Sequence, residues 1–241
     1  MDLDYDNELD AAWANFNDTS EQIELSDEKP KFTNLNDKIP ESSDIYISTK
    51  TKISYLNKPI PLKSTFWQIP IIPYHAPVEG VVKKQMKFNS LSQDELDEVR
   101  SKIVDYDLVD EHIITRIVNP EGRIKFKDVR KISIGLAKKD IISYRRKKRG
   151  AFYNCFVMMI RVIVHNKYKE IHVKVFNTGK LEIPGIQDDI TLKKVLDQVI
   201  IILQPLESCD KDLQCLKNKT ETVLINSNFN CGYYIDRDKL Y

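Results

Sequence analysis

Glycine is scarce, seven in 241 residues, about 3% against a usual ~7%. With so few, neither a Gly-x-Gly-x-x-Gly fingerprint nor a Walker A loop is present, so the common phosphate-cradling loops are excluded. Cysteine is also sparse: Cys155, Cys209, Cys215 and Cys231 form no Cys-x-x-Cys pair, and only His75, His112, His165 and His172 could join them. That spacing argues against a zinc site, so no metal or other cofactor is expected. No run of about 18 apolar residues occurs, so no membrane span is expected. The opening Met-Asp-Leu-Asp-Tyr-Asp is acidic rather than basic-then-apolar, unlike a secretory signal. Reduced thiols in an intracellular protein are the corresponding expectation. No Gly-x-Ser-x-Gly, His-Glu-x-x-His or carboxylate cluster is present to suggest an enzyme.

What is present is an uneven charge distribution. Residues 1–45 carry 13 acids and 3 bases, whereas residues 46–241 carry 23 acids and 34 bases. A net charge of −10 beside one of +11 suggests a basic body that meets a polyanion and an acidic tail that either keeps it soluble or shields it. Residues 1–50, with few apolar groups, read as a disordered tail. Within it Trp13 and Phe16 among acids fit a short interaction motif. The seven bases within 138–149 fit a solvated loop, a phosphate-contacting loop or a nuclear-import signal.

Ordered sequence is expected from about Lys52. Thr65 to Ile72 reads as extended and Gly80 to Asn89 as a strand, followed by a helix capped by Ser92 with Glu95 at capping-box spacing. Further strands are expected at Ile113–Val118 and Arg130–Leu136, around an Asn119–Gly122 turn. Cys155 to Val164 is apolar except for Arg161 and reads as a strand covered on both faces. In Ile171–Phe176 the alternation is clear: Ile171, Val173 and Val175 point one way, His172, Lys174 and Phe176 the other. A hairpin turn at Asn177-Thr178-Gly179, a return strand to Pro184, and a helix with the stripe Leu192, Val195, Leu196, Val199, Ile202 and Leu203 follow. The class is therefore α+β, an antiparallel sheet with one face on helices and the other apolar and without an internal partner.

Val175-Phe176-Asn177-Thr178-Gly179-Lys180-Leu181-Glu182-Ile183-Pro184-Gly185 resembles the signature hairpin of the TATA-box-binding protein family. Phe156 to Val162 is similar to that family's Phe-apolar-Arg strand, and 223–241, with Asn226 in a strand and a helix starting at Ile235, resembles the opening of a second repeat. The length and insertion look most like the divergent TATA-binding-like proteins of large double-stranded DNA viruses. The resemblance implies a curved saddle sheet with helices on its convex face, and three parts of the chain: the tail 1–50, a first repeat over 51–206 with an insertion at about 105–149, and 207–241 as linker and start of an incomplete second repeat. It predicts that the chain is a piece of a two-repeat protein. It implies a transcription-initiation factor that binds A+T-rich promoter DNA through the minor groove and recruits a B-type initiation factor and RNA polymerase, in a host nucleus, a cytoplasmic viral factory or a virion. Carried over by position, the DNA-binding candidates are Phe156, Arg161, Lys174, Phe176, Lys180 and Asn226. Phe176 corresponds to an intercalating Phe, with Phe156 or Phe152 as its pair. Lys174, Glu182 and Pro184 depart from the family pattern at groove-facing positions, which leaves open a protein-interaction module that keeps the saddle without sequence-specific DNA binding.

Overall fold

The computed structural model describes residues 41–142, 152–217, 219–236 and 238. The readings of the tail before 41, of the 145–149 bases and of most of the helix after Ile235 lie outside them. Strands are β1 (Tyr46–Tyr55), β2 (Gly80–Ser90), β3 (Val109–Val118), β4 (Phe126–Gly135), β5 (Cys155–Val164), β6 (Lys167–Phe176), β7 (Lys180–Ile186) and β8 (Glu221–Asn228). Helices are α1 (Leu62–Gln68), α2 (Gln93–Ile103), α3 (Lys138–Ile142) and α4 (Asp189–Leu203). The strands form one open antiparallel sheet in the order β3-β4-β2-β5-β6-β7-β1-β8. The α+β class is as expected. β1 begins at Tyr46, inside the stretch read as tail.

Contacts divide the chain into two units. Thr51–Leu224 is one, and the described parts of Met1–Lys50 and Ile225–Tyr241 are the other. In the smaller unit Ser43 N donates to Asn230 O (2.8 Å), Asn230 N donates to Ser43 Oγ (2.8 Å), and Ser48 Oγ donates to Asn226 O (3.2 Å).

The larger unit is built on period-2 alternation. In antiparallel pairs, residues directly opposite each other share a face. Phe156 is opposite Val175, Met158 opposite Val173 and Ile160 opposite Ile171, so these six share a face. Val195, Val199 and Leu203 of α4 and Phe66 of α1 belong to the same buried cluster, and Val99 and Ile103 of α2 pack against it. Each fully buried side chain of this size contributes about 1.5–3 kcal/mol. Asp188 caps α4: its Oδ1 accepts from Thr191 N at 2.6 Å. Ser92 Oγ accepts from Glu95 N at 3.2 Å at the start of α2, while Glu95 Oε2 accepts from Leu91 N at 2.8 Å.

Two turns require backbone freedom. The β5–β6 ladder closes from Val164 to Lys167 through His165 (φ 51°) and Asn166 (φ 60°), a two-residue turn whose left-handed angles match the twist of the strands. β6 therefore begins at Lys167, four residues before the alternation that is clear in the sequence. Gly135 (φ +91°) passes so close to β2 that a Cβ would lie 2.2 Å from Val82 O, so only glycine fits there.

The expected extended run at Thr65–Ile72 is not observed over its first half. Leu62–Gln68 is a helix, entered from Pro61 (φ −74°) and ended at Ile69 (ψ 120°) before Pro70. Proline at the entrance pre-sets a helical φ, and the residue preceding a proline is driven extended, so the prolines bound a helix here. Its last carbonyls are held by Lys84, an inward-facing residue of β2 with no exposed surface. Lys84 Nζ donates to Ile69 O (2.8 Å), Trp67 O (3.3 Å) and Tyr106 Oη (3.0 Å), and it lies 4.6 Å from the Tyr106 ring centroid. An ammonium at a helix C-terminus satisfies orphan carbonyls, yet no carboxylate is among these partners and burial pushes its pKa down to about 7 from 10.5.

The cost of carrying that buried charge is complete below about pH 7 and vanishes as pH rises toward 10.5, where the unfolded chain also loses its proton. Stability should therefore rise between pH 7 and 10. Urea midpoints for wild type and Lys84→Met check this: the variant should show a flatter rise, and equal slopes would contradict a buried charge.

Candidate nucleic-acid interface

The alternation that sends Phe156 and Val175 inward sends a different set to the second face. Cys155 is opposite Phe176, Val157 opposite Lys174, Met159 opposite His172 and Arg161 opposite Glu170. Lys174 is opposite Glu182 on β7, which places Lys180 and Pro184 on that face as well. On the other side Lys83 is opposite Met159, Gln85 opposite Val157, and Lys87 opposite Lys131 of β4. Lys83, Lys87, Lys131, Lys174 and Lys180 therefore share one face, all half-buried.

Phe156 is not on it. It is 0% exposed, opposite Val175, and belongs to the core. The expectation that it pairs with Phe176 as a groove-facing aromatic is corrected by this register. Phe152, the competing residue, has its ring 4.8 Å from Lys174 Nζ on the second face.

Arg161 lies on the second face but is turned to the protein. Its Nη1 donates to Tyr74 O and Ala76 O, both at 2.9 Å, and its Nη2 to Glu170 Oε1 at 3.3 Å. With Tyr168 Oη donating to Pro77 O, it pins the proline-rich segment before β2. Such an arginine is a structural clamp, because its donors are engaged by two backbone carbonyls and a carboxylate of the protein itself. Lys174 Nζ is bound to Glu182 Oε1 at 2.7 Å, so the lysine and the acid on this face neutralise each other.

Phe176 and Lys180 lie together at the β6–β7 hairpin, both half-buried. Lys180 Nζ lies 5.3 Å from the Phe176 ring centroid. The turn between them is fixed by Gly179 (φ +83°), whose Cβ would lie 2.5 Å from Lys58 O. Asn226 is half-buried in β8 and belongs to the smaller unit. His172 sits among cations. Its pKa is pushed down to about 3 by burial, then by the charges of Lys174, Lys131 and Lys139, so it is neutral at neutral pH.

The second face is also not bare. α3 and the Phe152–Tyr153 pair lie over it. Asp140 Oδ1 accepts from Lys83 Nζ at 2.7 Å, Lys138 N donates to Glu170 Oε2 at 2.7 Å, and Lys87 Nζ is 3.4 Å from the Tyr153 ring centroid. The expected lack of an internal partner for this face is therefore corrected: α3, Phe152 and Tyr153 supply one. Of the basic run, Lys138 and Lys139 are the described members, and both are in α3.

Nothing in the sequence marks Lys83, Lys87 and Lys131 as members of the face. The signal lies in strand order, since β2 is inserted between β4 and β5. No helix among the described residues is long and apolar enough to cross a membrane. Compared with protein-family models, curated proteins and solved structures, the chain matches none.

The placement of the two phenylalanines separates them experimentally. Phe156→Ala should cost about 3–5 kcal/mol of stability, as for a large aromatic removed from a closed core. Phe176→Ala should cost far less, since its ring is partly open to solvent. Denaturant unfolding of both variants checks this, and a Phe176 loss as large as that of Phe156 would mean that the hairpin ring is core.

Proposed function

We propose that this chain is a sheet-based DNA-binding protein of transcription initiation, similar to the TATA-binding-like proteins of large double-stranded DNA viruses. One observation carries the reading. The side chains that α1, α2 and α4 bury against the sheet join one core, and the opposite face carries Lys83, Lys87, Lys131, Lys174 and Lys180 together with Phe176. The chemistry suits a duplex. Lysines neutralise phosphates without reading sequence. An aromatic at the rim can enter a base step of the minor groove, where few donors and acceptors distinguish the bases. On this reading the sheet curves as a saddle over the DNA, Lys180 meets the backbone and Phe176 is the wedge. The initiation-factor and polymerase partners follow from the resemblance alone.

A second reading is favoured by a separate observation. Lys83, Arg161 and Lys174 are each already paired with a carboxylate, Asp140, Glu170 and Glu182 respectively. A face neutralised in this way suits a protein partner better than a phosphate backbone, as in an interaction module that has lost sequence-specific DNA binding.

Gel-shift titration against A+T-rich and G+C-rich duplexes over a range of salt separates the two. The DNA reading expects measurable affinity, a preference for the A+T-rich duplex, and a salt slope that Lys180→Ala reduces by about one unit. No affinity for either duplex would favour the interaction module.

A further inference from the structure

Three of the five lysines on the second face are occupied from the same side. Lys83 is engaged by Asp140 of α3 at 2.7 Å, Lys87 by the Tyr153 ring at 3.4 Å, and Lys174 by the Phe152 ring at 4.8 Å. The Asp140 carboxylate offers Lys83 the same anionic oxygen that a phosphate would, and the two rings offer Lys87 and Lys174 the negative potential of a π face. These groups stand where a polyanion's charges would fall.

We infer that α3 and the Phe152–Tyr153 pair form a strap that masks the lysines of this face and must lift before a duplex backbone can reach them. The inference rests on the DNA reading for its ligand, not for its geometry. The strap is built to detach. α3 buries no side chain, and its two isoleucines, Ile141 and Ile142, are 55% and 68% exposed. Among its contacts to the sheet are the Asp140–Lys83 pair and the Lys138 N–Glu170 hydrogen bond, with Ala137 N closing on Asp140 Oδ2 at 2.8 Å. A short element whose described side chains all lie at the surface belongs to the low-stability end of a fold. Lifting it exchanges one set of acceptors on the lysines for another, and Lys174 still keeps Glu182.

Adjacent methionines make this testable in the full chain. Met159 is on the second face between Lys83 and His172, whereas Met158 is in the core on the opposite face. Methyl-labelled methionine with a soluble gadolinium chelate reads the accessibility of each. In Asp140→Asn, and in the double variant Phe152→Ala with Tyr153→Ala, Met159 should relax faster while Met158 is unmoved, the latter showing that the core is intact. The same variants should bind a short A+T-rich duplex more tightly, with a salt slope steeper by about one unit for each lysine freed. An unmoved Met159, or an exposed Met159 with unchanged or weaker affinity for both the duplex and heparin, would overturn the strap. A gain on heparin with no duplex binding by any form would keep the strap and overturn the DNA reading.

Discussion

The register between β5 and β6 decides what each face of the sheet carries. Phe156 opposite Val175 puts an aromatic and a branched side chain into the core, and Val157 opposite Lys174 puts the charge outside. A shift by one residue would reverse every side chain of one strand. It would drive Lys174 and His172 into the cluster against α4 and turn Val173 and Val175 out. The cost of burying an ammonium without a partner makes that alternative prohibitive. The register is further held by the two-residue turn at His165 and Asn166 and by the Arg161–Glu170 pair across the strands.

The second face follows from this constraint. β2 adds Lys83 and Lys87 because its inward positions, Met86 and Phe88, are taken by the core. Lys84 is the exception, an inward lysine used to close the C-terminus of α1. The same residue type therefore does two jobs on one strand, separated by the side to which it points. On the second face Lys83 and Lys174 are held by carboxylates and Lys87 by an aromatic ring, so part of its positive charge is already met within the protein.

Much of the framework was legible in the sequence, because its signals are local. The cap Ser92, the apolar stripe of α4, the alternation of β6 and the Asn177-Thr178-Gly179 turn each leave a pattern within a few residues. What was not legible depends on pairing. β5 is apolar on both faces, so its phase cannot be read from alternation, and Phe156 was assignable to either side until its partner strand was known. The helix α1 was hidden by prolines at its ends, which read as breakers when they are boundaries. Lys84 looks like any surface lysine of an alternating strand. The cover over the second face was unreadable because α3 is only five residues long and its contacts are to strands far away in sequence.

Lysine acetylation with and without bound duplex tests the central claim most directly, that the face opposite α1, α2 and α4 is the one that meets a nucleic acid. The account predicts that Lys83, Lys87, Lys131, Lys174 and Lys180 are protected by an A+T-rich duplex, while Lys193 and Lys194, exposed on α4, react as before. Protection centred on Lys193 and Lys194, with the five face lysines unchanged, would contradict it.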